Sequence, residues 1–354
     1  MSLPRYLLIL CFCLLGLTAA SGQTPPPKAE APPANQDGFP RAEEQVRDLR
    51  ATLNLLSYDP YWDGRPQTRF KLEQFKDIRA KGFTAVRINL LAFKHMDAND
   101  KLDEAWLARL DGVIDAALKQ GLTVIVDEHD QVDCREKISV CGVKLLAFWR
   151  QVAPRYQNQP SAVIFEIMNE PGGPMKPRTW DLYWRESLAI IRRSNPKRNV
   201  IIGPACSNSF RCLDELHLPK ADRQLIATFH YYEPLAFTHQ GTHWNPQYKD
   251  LKGVEWGSPE DLRQLDLAFD TVQNWSRRER RPILLGEFGA YETAEMAIRI
   301  RYSAAVARAA EARGFSWAYW QFLMNFALYD LNKGAWVDPL VDALFPNPSE
   351  APKG

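Results

Sequence analysis

Short, predominantly apolar runs recur along the chain, each broken by at most a few polar residues. Thr52–Leu56, Ala85–Leu90, Thr123–Glu128, Val163–Met168, Asn199–Gly203, Leu225–His230, Ile283–Gly286 and Ser316–Trp320 read this way. Strands buried on both faces of a parallel sheet show this near-continuous apolar pattern. Between most of them the spacing changes to that of amphipathic helices, over Phe70–Lys81, Asp103–Gln120, Val143–Tyr156, Arg178–Ser194, Pro259–Arg277 and Ala294–Arg313. Asp103 and Glu104 put acids at a helix start, where the helix dipole favours them. Gly82, Gly121 and Gly314 stand where helices end before the next strand.

Eight strands alternating with helices predict an α/β fold, an eight-fold (β/α)8 TIM barrel. The rival, an open doubly wound sheet, usually carries a glycine-rich phosphate loop after an early strand, and none occurs here. In such a barrel, residues at the C-terminal ends of the strands share one cleft. Two segments stand out on that basis. Ile164-Phe165-Glu166-Ile167-Met168-Asn169-Glu170-Pro171 and Ile283-Leu284-Leu285-Gly286-Glu287-Phe288-Gly289 each bring a glutamate to the end of an apolar run. Two carboxyls facing one cleft are the minimum equipment for acid-assisted glycoside hydrolysis.

The N-terminus falls outside the barrel pattern. Arg5 precedes an apolar run from Tyr6 to Leu17, followed by Thr18-Ala19-Ala20-Ser21. That is the layout of a secretory signal peptide, and the run is shorter than the ~20 residues a spanning helix needs. Residues 1–22 are therefore expected to be an export signal, the alternative being an uncleaved membrane anchor. Residues 23–37, rich in proline, form an extended spacer. The barrel domain then occupies 38–346, followed by a disordered tail, 347–354. The mature protein is expected to be secreted or periplasmic, and monomeric. Outside the signal, Cys134, Cys141, Cys206 and Cys212 remain. An even number in an exported chain suggests disulfides, and close spacing suggests Cys134 with Cys141 and Cys206 with Cys212. No Cys-x-x-Cys or His-x-His pair is present, which disfavours a zinc or other metal hydrolase. No cofactor is expected. Basic and acidic residues nearly cancel, at a net charge of +1, and no basic run points to nucleic acid.

Polar residues gather at the strand ends: Arg87 within the second, His129 after the third, Asn169 and Glu170 after the fourth, His230 and Tyr232 at the sixth, Glu287 at the seventh and Trp320 at the eighth. With these in order, the sequence resembles the cellulase-type glycoside hydrolases of family 5. The resemblance rests on Val86-Arg87-Ile88, the histidine of Asp127-Glu128-His129-Asp130, Asn169-Glu170-Pro171, His230 with Tyr232, Gly286-Glu287-Phe288-Gly289 and Trp320. It spans about Thr52 to Phe322. It implies a retaining mechanism with Glu287 as nucleophile and Glu170 as acid/base. Arg87 and Tyr232 would keep Glu287 ionised, and His230 would tune Glu170. Asn169 would bond a sugar 2-OH, and Trp320 would form a floor under a sugar ring. Glu128 departs from the family, many of whose members carry an apolar or aromatic residue there.

Each feature has a plainer reading. Asn-Glu-Pro alone can be a turn, and a strand-end histidine alone is usually structural. Glu166 reads as a structural acid of the barrel interior, and Glu128 and Asp130 as supporting or exposed acids. Phe229 to Gly241 resembles bacterial members acting on β-1,4-glucans, and Tyr61, Trp62, Trp244 and Trp256 could line a long cleft or simply pack loops. The expected substrate is a β-1,4-glucan, cut internally. Mannan, xyloglucan and β-1,3- or mixed-linkage glucan stay open, as does a non-catalytic carbohydrate-binding barrel.

Overall fold

The computed structural model describes residues 38–345. The expected signal, the spacer and the tail lie outside the described residues, as does residue 346. Eight parallel strands close into a barrel in sequence order: β1 (Ala51–Leu55), β2 (Ala85–Leu90), β3 (Thr123–Glu128), β4 (Val163–Glu166), β5 (Val200–Ile202), β6 (Leu225–His230), β7 (Ile283–Phe288) and β8 (Ser316–Tyr319). Every strand residue is buried. That explains the predominantly apolar runs: one face packs inside the barrel, the other under the helices.

The principal helices are Gln74–Ala80, Glu104–Lys119, Ile138–Arg155, Pro177–Ser194, Pro259–Glu279 and Met296–Ala312. Asp103 caps the second, accepting from Trp106 N at 2.7 Å. Gly82, Gly121 and Gly314 follow helices with φ of 104°, 69° and 74°. Between β5 and β6 the chain makes only a 3₁₀ turn, Phe210–Glu215.

Two strand ends differ from expectation by two residues, and the others by one at most. β4 leaves the sheet at Glu166, four residues before Glu170, so Met168 is not in the strand. β7 instead runs on through Phe288, with its register against β6 shifting between Phe229 and His230. Beyond the predicted elements, Ala42–Gln45 and the 3₁₀ turn Val46–Leu49 plug the lower end of the barrel. Ala42, Val46 and Leu49 meet Ala85, Ile125, Ile164, Ile201, Ile226 and Leu284 from the strand interiors. Four-residue turns are too short to carry a helical period, so the pattern did not reveal them. Both cysteine pairs are disulfides, Cys134–Cys141 and Cys206–Cys212. Among the described residues no helix is long and apolar enough to cross a membrane.

Candidate active site

At the C-terminal ends of the strands lies a cleft of about 1020 Å³. His129, Asn169, Glu170, His230, Tyr232, Glu287 and Trp320 all line it. Arg87, the remaining residue expected there, lies fully buried beneath.

Arg87 organises the floor. Its Nε and Nη2 donate to Glu166 at 2.7 and 2.9 Å, its Nη1 to Asn54 Oδ1 and to Glu287 Oε1 at 2.9 Å each, and its Nη2 to Asn169 Oδ1 at 2.8 Å. Nη2 also lies 3.1 Å from Asp127. Burial opposes the guanidinium charge, but Asp127, Glu166 and Glu287 outweigh it and hold its pKa well above the usual value. This cation, ion-paired with all three acids, is what allows them to share a dry site.

The arginine also sets hydrogen-bond directions around it. Arg87 can only donate, so Asn169 turns Oδ1 to it and Nδ2 toward His129 Nε2, 3.2 Å away. Nε2 therefore accepts, and the proton on Nδ1 goes to Asp127 Oδ2 at 2.6 Å. Burial lowers the His129 pKa to about 3, so the ring is neutral, and burial raises that of Asp127 to about 7. The indole of Trp320 stacks on the His129 ring, centroids 5.5 Å apart and planes 5° apart.

Glu287 accepts from Arg87 at Oε1 and from the Tyr232 hydroxyl at Oε2, 2.9 Å each. Glu170 Oε1 lies 3.0 Å from His230 Nδ1, which is also 3.6 Å from Glu287 Oε2. The Oε2 of Glu170 lies 3.7 Å from Arg135. The pair is close: ligand-type atoms of Glu170, His230 and Glu287 fall within 4.8 Å of one another. Burial raises both glutamate pKa values, partly countered at Glu287 by His230 and Arg87 and at Glu170 by Arg135, His129 and Arg87. Two carboxyls this close do not both ionise readily. Glu287, with two strong donors, is the better seat for the negative charge, and Glu170 the better seat for the proton. The same cluster has the donor set of a metal site, but Arg87 already supplies a positive charge at 2.9 Å from Glu287.

Local backbone holds this geometry. Glu170 has φ of 42°, in the left-handed region that costs a non-glycine residue about 1–3 kcal/mol. At Gly286 a Cβ would fall 2.6 Å from Thr228 Oγ1 and 2.9 Å from His230 Nε2. The glycine before Glu287 thus gives His230 its place.

Several residues depart from expectation. Of the two readings of Glu128 and Asp130, supporting or exposed, the first holds and the second does not, for both are buried. Asp130 Oδ2 accepts from Phe93 N at 2.8 Å, and Glu128 Oε1 accepts from Asp130 N at 3.2 Å, so both brace the loop after β3. Of the four aromatics weighed for the cleft, only Trp244 lines it, 52% exposed. Trp62 is buried against Trp106, Trp256 against Phe237 and Tyr302, and Tyr61 packs on the core. Tyr58 lines the cleft instead. Asn54 was missed; it bonds Arg87, Asn89 and the carbonyls of Gly286 and Tyr319. A lone amide inside the apolar strand β1 was the available signal. Glu166, read as structural, is the bidentate partner of Arg87.

Comparison with known proteins agrees with this geometry. The family described as cellulase (glycosyl hydrolase family 5) matches residues 49–325. Endoglucanase H of Acetivibrio thermocellus is 30% identical over 334 residues, 91% of this chain but 35% of the relative. The chain thus spans about a third of that relative's length. The crystal structure of endoglucanase Cel5A from Thermotoga maritima is similar to it with a TM-score of 0.81 and 35% identity, covering 86% of this chain and 100% of that one. That enzyme has also been solved with cellobiose and with mannotriose. Cellulose synthase subunit Z of Clostridioides difficile has a TM-score of 0.78 and 32% identity, covering 83% of this chain and 99% of that one.

Proposed function

The chain belongs to the cellulase family, glycosyl hydrolase family 5, and on that footing we propose that it is a retaining, endo-acting glycoside hydrolase that cleaves β-1,4-glucan, with Glu287 as nucleophile and Glu170 as acid/base. The observation that carries the reading is the closeness of the two carboxyls: one oxygen of Glu170 lies within 4.8 Å of one oxygen of Glu287. Retaining enzymes hold them about 5–5.5 Å apart, whereas inverting ones leave about 6.5–9.5 Å for a water between them.

The chemistry has two steps. In the first, a carboxylate oxygen of Glu287 bonds to the anomeric carbon as the glycosidic C–O bond breaks. The proton of Glu170 goes to the departing oxygen. In the second, water attacks the anomeric carbon, Glu170 takes its proton, and the bond to Glu287 breaks. Arg87 and the Tyr232 hydroxyl hold Glu287 in place for both steps. Asn169, fixed between Arg87 and His129, presents its amide to the sugar 2-OH, and Trp320 supplies an apolar face. A similar structure, of a hyperthermophilic endo-β-1,4-glucanase in complex with substrate, supports β-1,4-glucan. The mannotriose complex of the Thermotoga enzyme supports mannan as a second substrate.

We read residues 1–22 as an export signal, 38–346 as a single catalytic domain and the mature enzyme as a monomer acting outside the cytoplasm. Mass spectrometry of exported protein should then find a mature N-terminus near residue 23, and retention of the intact signal in a membrane fraction would contradict this. The catalytic assignment is tested by Glu287→Gln. That variant should keep the wild-type melting temperature to within a few degrees and lose all hydrolysis of carboxymethylcellulose. Retained hydrolysis would refute the nucleophile, and a binding barrel without catalysis would show no wild-type hydrolysis at all.

A further inference from the structure

His230 has two ring nitrogens, and only Nδ1 faces the two glutamates. The other, Nε2, is 3.2 Å from the side-chain amide nitrogen of Asn208, a fully buried residue. Asn208 is tied to His230 twice, because its carbonyl oxygen also accepts from the His230 backbone N–H at 2.9 Å. It is the last of three consecutive non-glycine residues in the left-handed region, Cys206, Ser207 and Asn208, with φ of 66°, 57° and 55°. Such a run is uncommon, and asparagine tolerates it better than most residues. The turn is closed by the Cys206–Cys212 disulfide and fastened to the Asn169-Glu170-Pro171 corner, where Ser207 N donates to Pro171 O at 3.0 Å.

The direction of the Asn208 amide decides the proton on His230. The Oδ1 of Asn208 is buried with no hydrogen-bond partner, and it lies where a Cβ on Gly203 would approach to 2.1 Å. Reversing the amide would put an N–H₂ group there, and an orphaned buried N–H is rarer than an orphaned oxygen. Nδ2 therefore faces Nε2 and donates to it. An imidazole whose Nε2 accepts carries its proton on Nδ1, which faces Glu170 Oε1 at 3.0 Å and Glu287 Oε2 at 3.6 Å. An unprotonated Nδ1 would instead set its lone pair against two carboxylate oxygens.

We propose that Asn208 is a positioning residue that fixes His230 as its Nδ1–H tautomer, so that Oε1 of Glu170 is always an acceptor and the acid proton is confined to Oε2. This rests on the glycosidase reading for its catalytic meaning. Without the lock, a protonated Glu170 could turn its proton inward to Nδ1, away from the leaving group. The charged and titratable groups around His230 are Glu170, Glu287, Arg87, Glu166 and His129. Burial holds the His230 pKa down at about 4, so a neutral ring with one proton to place is the form at issue.

The direct test is the histidine tautomer, read by long-range ¹⁵N–¹H NMR on protein labelled at histidine nitrogen, with His230 assigned by its loss in His230→Gln. The wild type should show the Nδ1–H tautomer. Asn208→Asp keeps the size and left-handed tolerance but offers only acceptors, so it should move the proton to Nε2 or charge the ring. Asn208→Gly keeps the backbone and removes the contact. In kinetics, Asn208→Asp should lower kcat on carboxymethylcellulose at least about tenfold, part of the 10²–10⁴-fold that acid–base catalysis contributes. It should lower the first step on an aryl cellobioside with a good leaving group much less, with KM little changed. Asn208→Gly should fall between the two. A wild-type Nε2–H tautomer would overturn the proposal, and so would equal losses in both variants on both substrates. Absence of all wild-type hydrolysis would instead refute the glycosidase reading, leaving the tautomer to be decided by the spectrum.

Discussion

The guanidinium of Arg135 stands 3.7 Å from Oε2 of Glu170, the oxygen to which the acid proton is assigned. It is the leading influence opposing the burial that lifts the Glu170 pKa. A cation there stabilises the ionised form and so lowers the pKa. Arg135→Ala removes it. The Glu170 pKa should rise further, and the alkaline limb of kcat/KM, where the acid is lost, should move to higher pH. An alkaline limb that stays put would show that solvent screens this exposed side chain. Arg87 offers the opposite case, a cation with no exposure. Arg87→Met would leave Asp127, Glu166 and Glu287 buried without their partner, at a cost of about 3–5 kcal/mol. The melting temperature should fall by several degrees and activity should be lost, whereas an undiminished melting temperature would refute the central role given to Arg87. At this scale most motif residues were legible because each stands at or just past the end of an apolar run, and Arg87 because it is a charge inside one. Asn54, Arg135 and Asn208 were not. Their roles depend on contacts between loops and strands far apart in sequence, and an amide in a strand or an arginine in a loop has many ordinary explanations.

At the scale of elements, the barrel strands were readable because burial on both faces leaves a predominantly apolar signature, as in Thr123–Glu128 and Leu225–His230, whose bounds coincide with the structure. Less readable were the segments whose shape comes from tertiary contacts. The plug at Ala42–Leu49 is too short for a period, and the extension of β7 past Gly286 accompanies a register shift against β6. The loop after β5 belongs to the same class. Its Cys206–Cys212 bond encloses a short segment, six residues apart in sequence, and closing a loop of that size contributes about 2 kcal/mol. Replacing both cysteines by serine should lower stability by about that amount. It should also lower kcat, since the turn that seats Asn208 loses its clasp. A variant less stable but fully active would separate the disulfide from the site and make it structural alone.

Over the whole molecule, the cleft is an open trough and the paired carboxyls lie on its floor, with Tyr58 and Trp244 exposed along it. An open cleft lets a polymer lie through it, so cleavage should occur within chains. Viscosity of carboxymethylcellulose should drop well before reducing ends accumulate, whereas parallel change of the two would indicate release from chain ends. The fold was legible from the order of strands, and the glutamates proposed as the catalytic pair from their place at or just past the ends of apolar runs. The sugar was not, because loops set it, and loop aromatics such as Trp62 and Trp244 look alike in sequence although only the second reaches the cleft. The central claim, that Glu170 and Glu287 act in two successive displacements at one anomeric carbon, is tested most directly by the configuration of the first product. Proton NMR of cellopentaose hydrolysis, followed from the first minutes before mutarotation, should show the β-anomer at the newly formed reducing end. An initial α-anomer would mean a single displacement by water and would contradict the account.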